Sequence, residues 1–302
     1  WRAITHFFGG MGVLLLFVAV LPLVGTGGMQ LFRAEMPGPT KDRLTPRIAG
    51  TAKRLWAVYL VLNAAEILAL RLAGMGWFDA VCHSFATIAT GGFSTRTESL
   101  GAFTSPAIHW IVIVFMALSG INFALHYRAG TGRLDAYVRD SECKFYILVL
   151  AAATAVVASV LWSSRTYPHA HDAVREAAFA VTSITTTTGF TTADYDRWPA
   201  LARWVLFLLM FVGGCAGSTG GSIKVVRVLI ALRVSARELF RWLQPEAVVS
   251  VKVDREAVDP PILMNVLVFI VLYMLVFAAS SLLMGLHFGA DWISAASSVA
   301  AC

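Results

Sequence analysis

The sequence predicts an all-α multi-pass membrane protein assembled from tandem units of span, re-entrant helix, extended strand and span. Three observations predict it. Apolar residues fill 58% of the 302 positions and charged residues only 14%, where soluble domains carry about a quarter charged residues. Apolar runs long enough to cross a bilayer, about 20 residues, alternate with amphipathic segments too short to do so. The pattern Thr-x-Gly-aromatic occurs twice, as Thr90-Gly91-Gly92-Phe93 and Thr187-Thr188-Gly189-Phe190, at an offset of 97 residues.

Taken in order, the spanning runs cover 5–24, 52–73, 106–127, 144–162, 200–231 and 262–287. The run at 52–73 is the weakest, because it carries Asn63 and Glu66. Short segments at 77–88, 172–184 and 291–302 lie between the spans, and each has an acid near its start (Asp79, Asp172, Asp291). An acid there is favourable, since a helix N-terminus is partly positive. Their length suits helices that enter the membrane and return. Non-helical backbone at that depth survives only when it is buried in protein or lines water, which a strand following a re-entrant helix does.

These elements divide the chain. Residues 1–24 read as the last span of an incomplete first repeat, and 25–51 as a cytoplasmic linker. A second pore repeat covers 52–127, a linker 128–143, a third pore repeat 144–231 and a further linker 232–261. Residues 262–302 open an incomplete fourth repeat. Four such units around an axis complete a pore. The chain holds two whole strands and opens at Trp1 without a methionine, so it reads as a piece of a longer protein.

Charge orients the units. Segments 33–54, 128–144 and 224–255 hold 17 of the 24 Lys and Arg residues, which puts them in the cytoplasm and both strands toward the outside. That bias accounts for the net charge of +6. No aromatic–basic module supports nucleic-acid binding. The four cysteines show no CxxC pair, against a disulfide scaffold or a zinc site. His169 and His171 read as solvated outer-loop residues rather than a metal site. No nucleophile–base pair points to an enzyme.

The paired strands carry the chemistry. A potassium-channel filter uses backbone carbonyls in place of the ion's hydration shell. Glycine tolerates the backbone angles this requires, and threonine adds a hydroxyl oxygen. One copy alone reads as a polar turn; two copies with matched flanking helices read as filter strands. The helix before each strand points its partly negative C-terminal end at the pore, which favours a cation.

A second device interrupts the span at 200–231. Five glycines, Gly213, Gly214, Gly217, Gly220 and Gly221, stand with Ser218 and Thr219 in GGCAGSTGGSIK. Each glycine costs a helix about 1 kcal/mol relative to alanine, so the helix is expected to break here. The broken backbone must then face water or other protein; close helix packing through small residues is the plainer alternative, and the stretch does not match a phosphate-binding GxxxxGK[ST] loop. Lys224 and Arg227 follow it and read as reaching the cytoplasmic surface by snorkelling, with Lys224 also a candidate for pore lining or gating. Asn122 sits one repeat offset before Thr219, and either caps the inner pore there or makes an ordinary interhelical hydrogen bond. Glu66, an acid in an apolar span, is a functional suspect with no partner that the sequence names.

The stretches GGMG (9–12), GTGGMQLFRAEMPGP (25–39), ATGGFST (89–95), SGINFALHY (119–127), TTTTGFTT (185–192) and GGCAGSTGGSIK (213–224) together resemble the Trk/Ktr/HKT potassium transporter superfamily. The RAEMPGP stretch resembles its bacterial TrkH/TrkG branch. The resemblance implies a multi-pass protein of the bacterial inner membrane, four pore loops per chain, a homodimer and a cytoplasmic nucleotide-sensing regulator of TrkA type. It implies potassium contacts at Thr90, Gly91, Gly92, Thr187, Thr188 and Gly189, with Phe93 and Phe190 supporting the strands. It also implies that the 213–221 loop is the gate.

The expected function is potassium uptake through this filter, with K+ as the transported ion, no organic cofactor, and membrane lipid around the spans. Basic segments such as 224–255 suit either a docked regulator or lipid headgroups. The alternative is a carrier-type secondary transporter, a cation symporter built on broken helices. Carriers often relate their halves by inversion, whereas both repeats here enter in the same sense.

Overall fold

The apolar runs at 52–73, 144–162 and 262–287 become long helices, each with a short helix packed against it. The computed structural model describes residues 1–15, 48–244, 247, 250–254, 256–288 and 292–302. The expectations for 16–47, including the GTGGMQLFRAEMPGP stretch, and for Asp291 lie outside the described residues. Helix α1 is Arg2–Leu15, α2 Ile48–Leu72 and α3 Trp77–Ile88. After them come α4 Pro106–Ser119, α5 Phe123–Gly130 and α6 Asp135–Arg139. Then follow α7 Ser141–Ser163, α8 Ala170–Thr185, α9 Ala200–Leu209 and α10 Val225–Leu243. A two-stranded antiparallel hairpin, β1 Lys252–Val253 with β2 Glu256–Ala257, precedes α11 Pro260–Phe288 and α12 Trp292–Ala301.

The unit repeats in space. In each case a long helix packs on the short helix after it: α2 on α3, α7 on α8, and α11 on α12. The turn between α2 and α3 uses Gly74 at φ +99°, with Met75 N donating to Leu70 O at 3.0 Å. This left-handed glycine closes the helix end. Ala52–Leu72, Ser141–Ser163 and Pro260–His287 are long and apolar enough to cross a membrane. The last is exposed along Leu272, Leu275, Val276, Leu282 and Leu283, as a helix facing lipid tails is.

Neighbouring units share a core. Met75, Ala80, Leu100, Val112 and Met116, in and around α3 and α4, pack with Phe179 of α8 and with Phe190. A separate cluster joins α7, α8 and α9 through Tyr146, Val157, Ala177, Val181 and Leu206.

Two expectations change. The run at 106–127 is not one straight span: α4 and α5 meet at 101° across Gly120-Ile121-Asn122. Asn122 Oδ1 accepts from Ala124 N at 2.9 Å and so starts a new helix. The boundary drawn between 231 and 232 falls inside α10, which continues to Leu243 because its buried face (Val226, Ile230, Val234) packs on α11 and the hairpin.

Candidate functional site

Helices α3 and α8 end in the same way. Gly91 N and Gly92 N turn back to Ala86 O at 2.7 and 3.5 Å, and Thr188 N and Gly189 N turn back to Ser183 O at 2.9 and 3.3 Å. The chain then alternates hand. Thr90 (φ +53°), Gly92 (+67°), Thr187 (+58°) and Gly189 (+84°) are left-handed, while Gly91 and Thr188 are not. Such alternation turns successive carbonyls to one side, the arrangement that can replace a cation's water. Among the described residues, the carbonyl oxygens of Thr90, Gly91, Gly92, Thr187, Thr188 and Gly189 accept no hydrogen bond. The segments lie side by side, because a Cβ on Gly92 would run into the Thr188 carbonyl.

Left-handed backbone is unusual for a β-branched residue, and it costs on the order of 1–3 kcal/mol per residue. Threonine nonetheless stands at both positions. Phe190 is fully buried behind its segment, with its ring 5.9 Å from that of His83. Phe93 is half exposed and leans on α1, its ring 5.3 Å from His6 and 4.2 Å from the Arg2 guanidinium.

The glycine-rich stretch does break the span: α9 ends at Leu209 and α10 starts at Val225. Gly213 N donates to Ile223 O at 2.9 Å, closing the loop's neck. The loop is pinned to the break in the preceding repeat, with Cys215 N on Gly120 O at 2.8 Å and Phe123 N on Gly217 O at 3.1 Å. Gly217 is left-handed (φ +73°), and a Cβ there would sit 2.9 Å from Asn122 Oδ1. Asn122 therefore caps α5 and also backs the loop.

The loop also reaches both segments. Thr90 Oγ1 lies 3.0 Å from Thr219 O, and Gly221 N donates to Thr187 Oγ1 at 2.7 Å. Thr219 Oγ1 donates to Ile88 O at 2.8 Å. Ser218 Oγ donates to Cys215 O at 2.6 Å within the loop, and Gly214 and Gly220 pack on Gly120 and Thr186 respectively.

Lys224 and Arg227 do not reach the surface. Lys224 is buried and its Nζ donates back to Gly220 O, while Arg227 is buried with its guanidinium 3.9 Å from the Phe269 ring centroid. The loop carbonyl and the aromatic face outcompete water because α10 is covered here by α11. Glu142, which sequence reasoning missed, ties the middle of the loop to the first turn of α10: its Oε1 accepts from Ala216 N at 2.6 Å and from Val226 N at 3.2 Å. Glu66 is fully buried, and no described basic group pairs with it.

Two further acids were not singled out together. Asp79 Oδ1 accepts from Thr95 Oγ1 at 2.7 Å, and Glu176 Oε2 accepts from Thr192 Oγ1 at 2.5 Å. Asp172, the acid expected at the start of the second short helix, stands in its first turn and pairs with Arg175 at 2.8 Å. The 97-residue offset, applied to Asp79, would have found Glu176.

A family model described as "TrkH: Cation transport protein" matches residues 1–288. The chain belongs to the TrkH family. Among the family's curated members, it is 46% identical over 303 residues to the Trk system potassium uptake protein TrkH of Escherichia coli (strain K12), covering 100% of this chain and 62% of that one. It is 38% identical over 304 residues to the Trk system potassium uptake protein TrkG of the same strain, covering 100% and 62%. The crystal structure of the potassium transporter TrkH from Vibrio parahaemolyticus superposes with a TM-score of 0.87 at 41% identity, over 99% of this chain and 61% of that one. The chain thus spans about three fifths of the length of these TrkH relatives. The family's fold is this one, a helical multi-pass membrane protein.

Proposed function

We propose that this chain contributes two of four filter strands, and the gate, to a potassium uptake pore of the bacterial inner membrane. One observation carries the reading. Two segments lie side by side with alternating backbone hand, their amide donors spent on the preceding helix and their carbonyls taking no hydrogen bond from the described residues. Potassium passes along the carbonyls of Thr90, Gly91, Gly92, Thr187, Thr188 and Gly189, with Phe93 and Phe190 supporting the strands. The C-terminal ends of α3 and α8 add a partly negative field at the path. Residues 213–221 close it, tied to both strands and seated on Asn122 and Lys224. The pore repeats are 52–127 and 144–231, and their basic flanks face the cytoplasm.

Relatives named as potassium uptake proteins support the choice of ion. The homodimer and the cytoplasmic nucleotide-binding regulator of TrkA type rest on family membership alone. The carrier reading has less support, because equivalent residues of the two repeats make equivalent contacts in the same chain sense. The test is Gly189→Val in the full-length protein, expressed in a bacterium that has lost its other potassium uptake systems. Growth on limiting potassium should fail while the protein still reaches the membrane. Growth at the parental rate would overturn the filter assignment.

A further inference from the structure

Each segment is fastened at its far end as well as at its helix. Asp79 lies in the first turn of α3 and Glu176 in α8, and they occupy the same place in the two repeats. Thr95 and Thr192 also correspond, each two residues after the phenylalanine of its segment. The bonds Thr95 Oγ1 to Asp79 Oδ1 (2.7 Å) and Thr192 Oγ1 to Glu176 Oε2 (2.5 Å) therefore close the same loop twice, from early in the re-entrant helix to just beyond the strand.

Each acid has its second oxygen occupied by arginine, but from different places. Arg96, in the loop, donates to Asp79 Oδ2 at 3.0 Å, and Arg175, in the helix, donates to Glu176 Oε1 at 3.2 Å. The arginines do not correspond between repeats, whereas the acid and the threonine do. Glu176 is also faced by His109 Nδ1 at 3.9 Å. The two far ends are joined as well, with Gly101 N on Thr191 O at 3.1 Å and Thr191 N on Ser99 Oγ at 3.2 Å.

A strand held only at its helix end could shift its carbonyls inward to suit a smaller ion. One held at both ends keeps them at a fixed spacing, which is one way a carbonyl site discriminates between cations. We propose that Asp79–Thr95 and Glu176–Thr192 are paired carboxylate–hydroxyl clamps that position the outer ends of the strands and set the preference for potassium over sodium. This rests on the filter reading above. The acids and threonines are positioning residues that act through the strand carbonyls.

The experiment measures potassium and sodium flux through the full-length protein in liposomes. Thr95→Val and Thr192→Val keep the side-chain shape and remove the hydroxyl; Asp79→Asn and Glu176→Gln remove the charge; Gly189→Ala is the filter control. Each valine variant should lower the potassium-to-sodium ratio about tenfold, the equivalent of about 1.4 kcal/mol, without a matching loss of potassium flux. Thr192→Ser should restore the ratio, and Thr192→Val with Glu176→Gln should lose no more than either alone. Stable valine variants that keep the parental ratio, beside a Gly189→Ala variant that loses it, overturn the clamps and leave the filter standing. If Gly189→Ala also keeps the ratio, both readings fall. If the acid variants do not reach the membrane, the valine and serine variants decide.

Discussion

Thr90 and Thr187 stand 97 residues apart, hold the same left-handed backbone, and set their hydroxyls against the same loop. Thr90 faces the Thr219 carbonyl, and Thr187 accepts from Gly221 N. Glycine would remove the strain at either position but would supply no hydroxyl. The strained threonines are thus the joints between strand and loop.

That joint sets the first prediction. Thr187→Val keeps the β-branch and removes the acceptor for Gly221 N. One hydrogen bond of this kind contributes about 1 kcal/mol, so the loop as seated on the strand, the shut gate of the proposed function, should lose stability by roughly fivefold. Unstimulated rubidium flux through the full-length protein should rise by about that factor. Flux at or below the parental level would separate the loop from the strand.

Glu142 predicts a larger effect on stability. Glu142→Ala leaves the buried amides of Ala216 and Val226 without their acceptor, at about 1–3 kcal/mol each. Glu142→Gln keeps an acceptor oxygen and should lose clearly less. Apparent Tm in detergent should rank parent, Gln, then Ala. Equal losses in the two variants would mean that the charge, rather than the two hydrogen bonds, holds the loop.

Much of this was legible because span length and repeat offset are one-dimensional signals. The short helix expected at 77–88 forms at Trp77–Ile88, and the five glycines broke their span where expected. The break at Gly120 was missed because a single glycine in an apolar run is compatible with a continuous helix. What fixes it is Cys215 N on Gly120 O, a contact across many intervening residues. Glu142 was invisible for the same reason, as its partners Ala216 and Val226 are distant in sequence. Lys224 misled because its ammonium turns back onto the Gly220 carbonyl, a contact that the apolar pattern of the span does not report.

Asp79 gives a pH signature. Partial burial would raise its carboxyl, but the Thr95 hydroxyl, Arg96 and, more weakly, His83 outweigh this and hold it below its ordinary value. A depressed folded-state value means that the group's stabilisation is complete above the unfolded-state value, about 4, and fades as pH falls through the folded one. Asp79→Asn should therefore lower Tm at neutral pH, modestly because the pair is partly solvated. The difference from the parent should shrink toward zero in acid. A gap that stays constant with pH would mean that the carboxylate's charge contributes nothing.

Gly92 and Gly74 separate crowding from backbone strain. Both are left-handed, at φ +67° and +99°, so alanine costs about 1–2 kcal/mol at each from conformation alone. A Cβ on Gly74 meets nothing within 4 Å, whereas one on Gly92 runs into the Thr188 carbonyl of the neighbouring strand. That backbone cannot yield without moving its own carbonyls, which line the ion path in the function proposed above. Gly74→Ala should lower Tm slightly and keep rubidium uptake, while Gly92→Ala should abolish uptake even where the protein still folds. Equal uptake in the two variants would show that the close approach of the strands at Gly92 is not what transport requires.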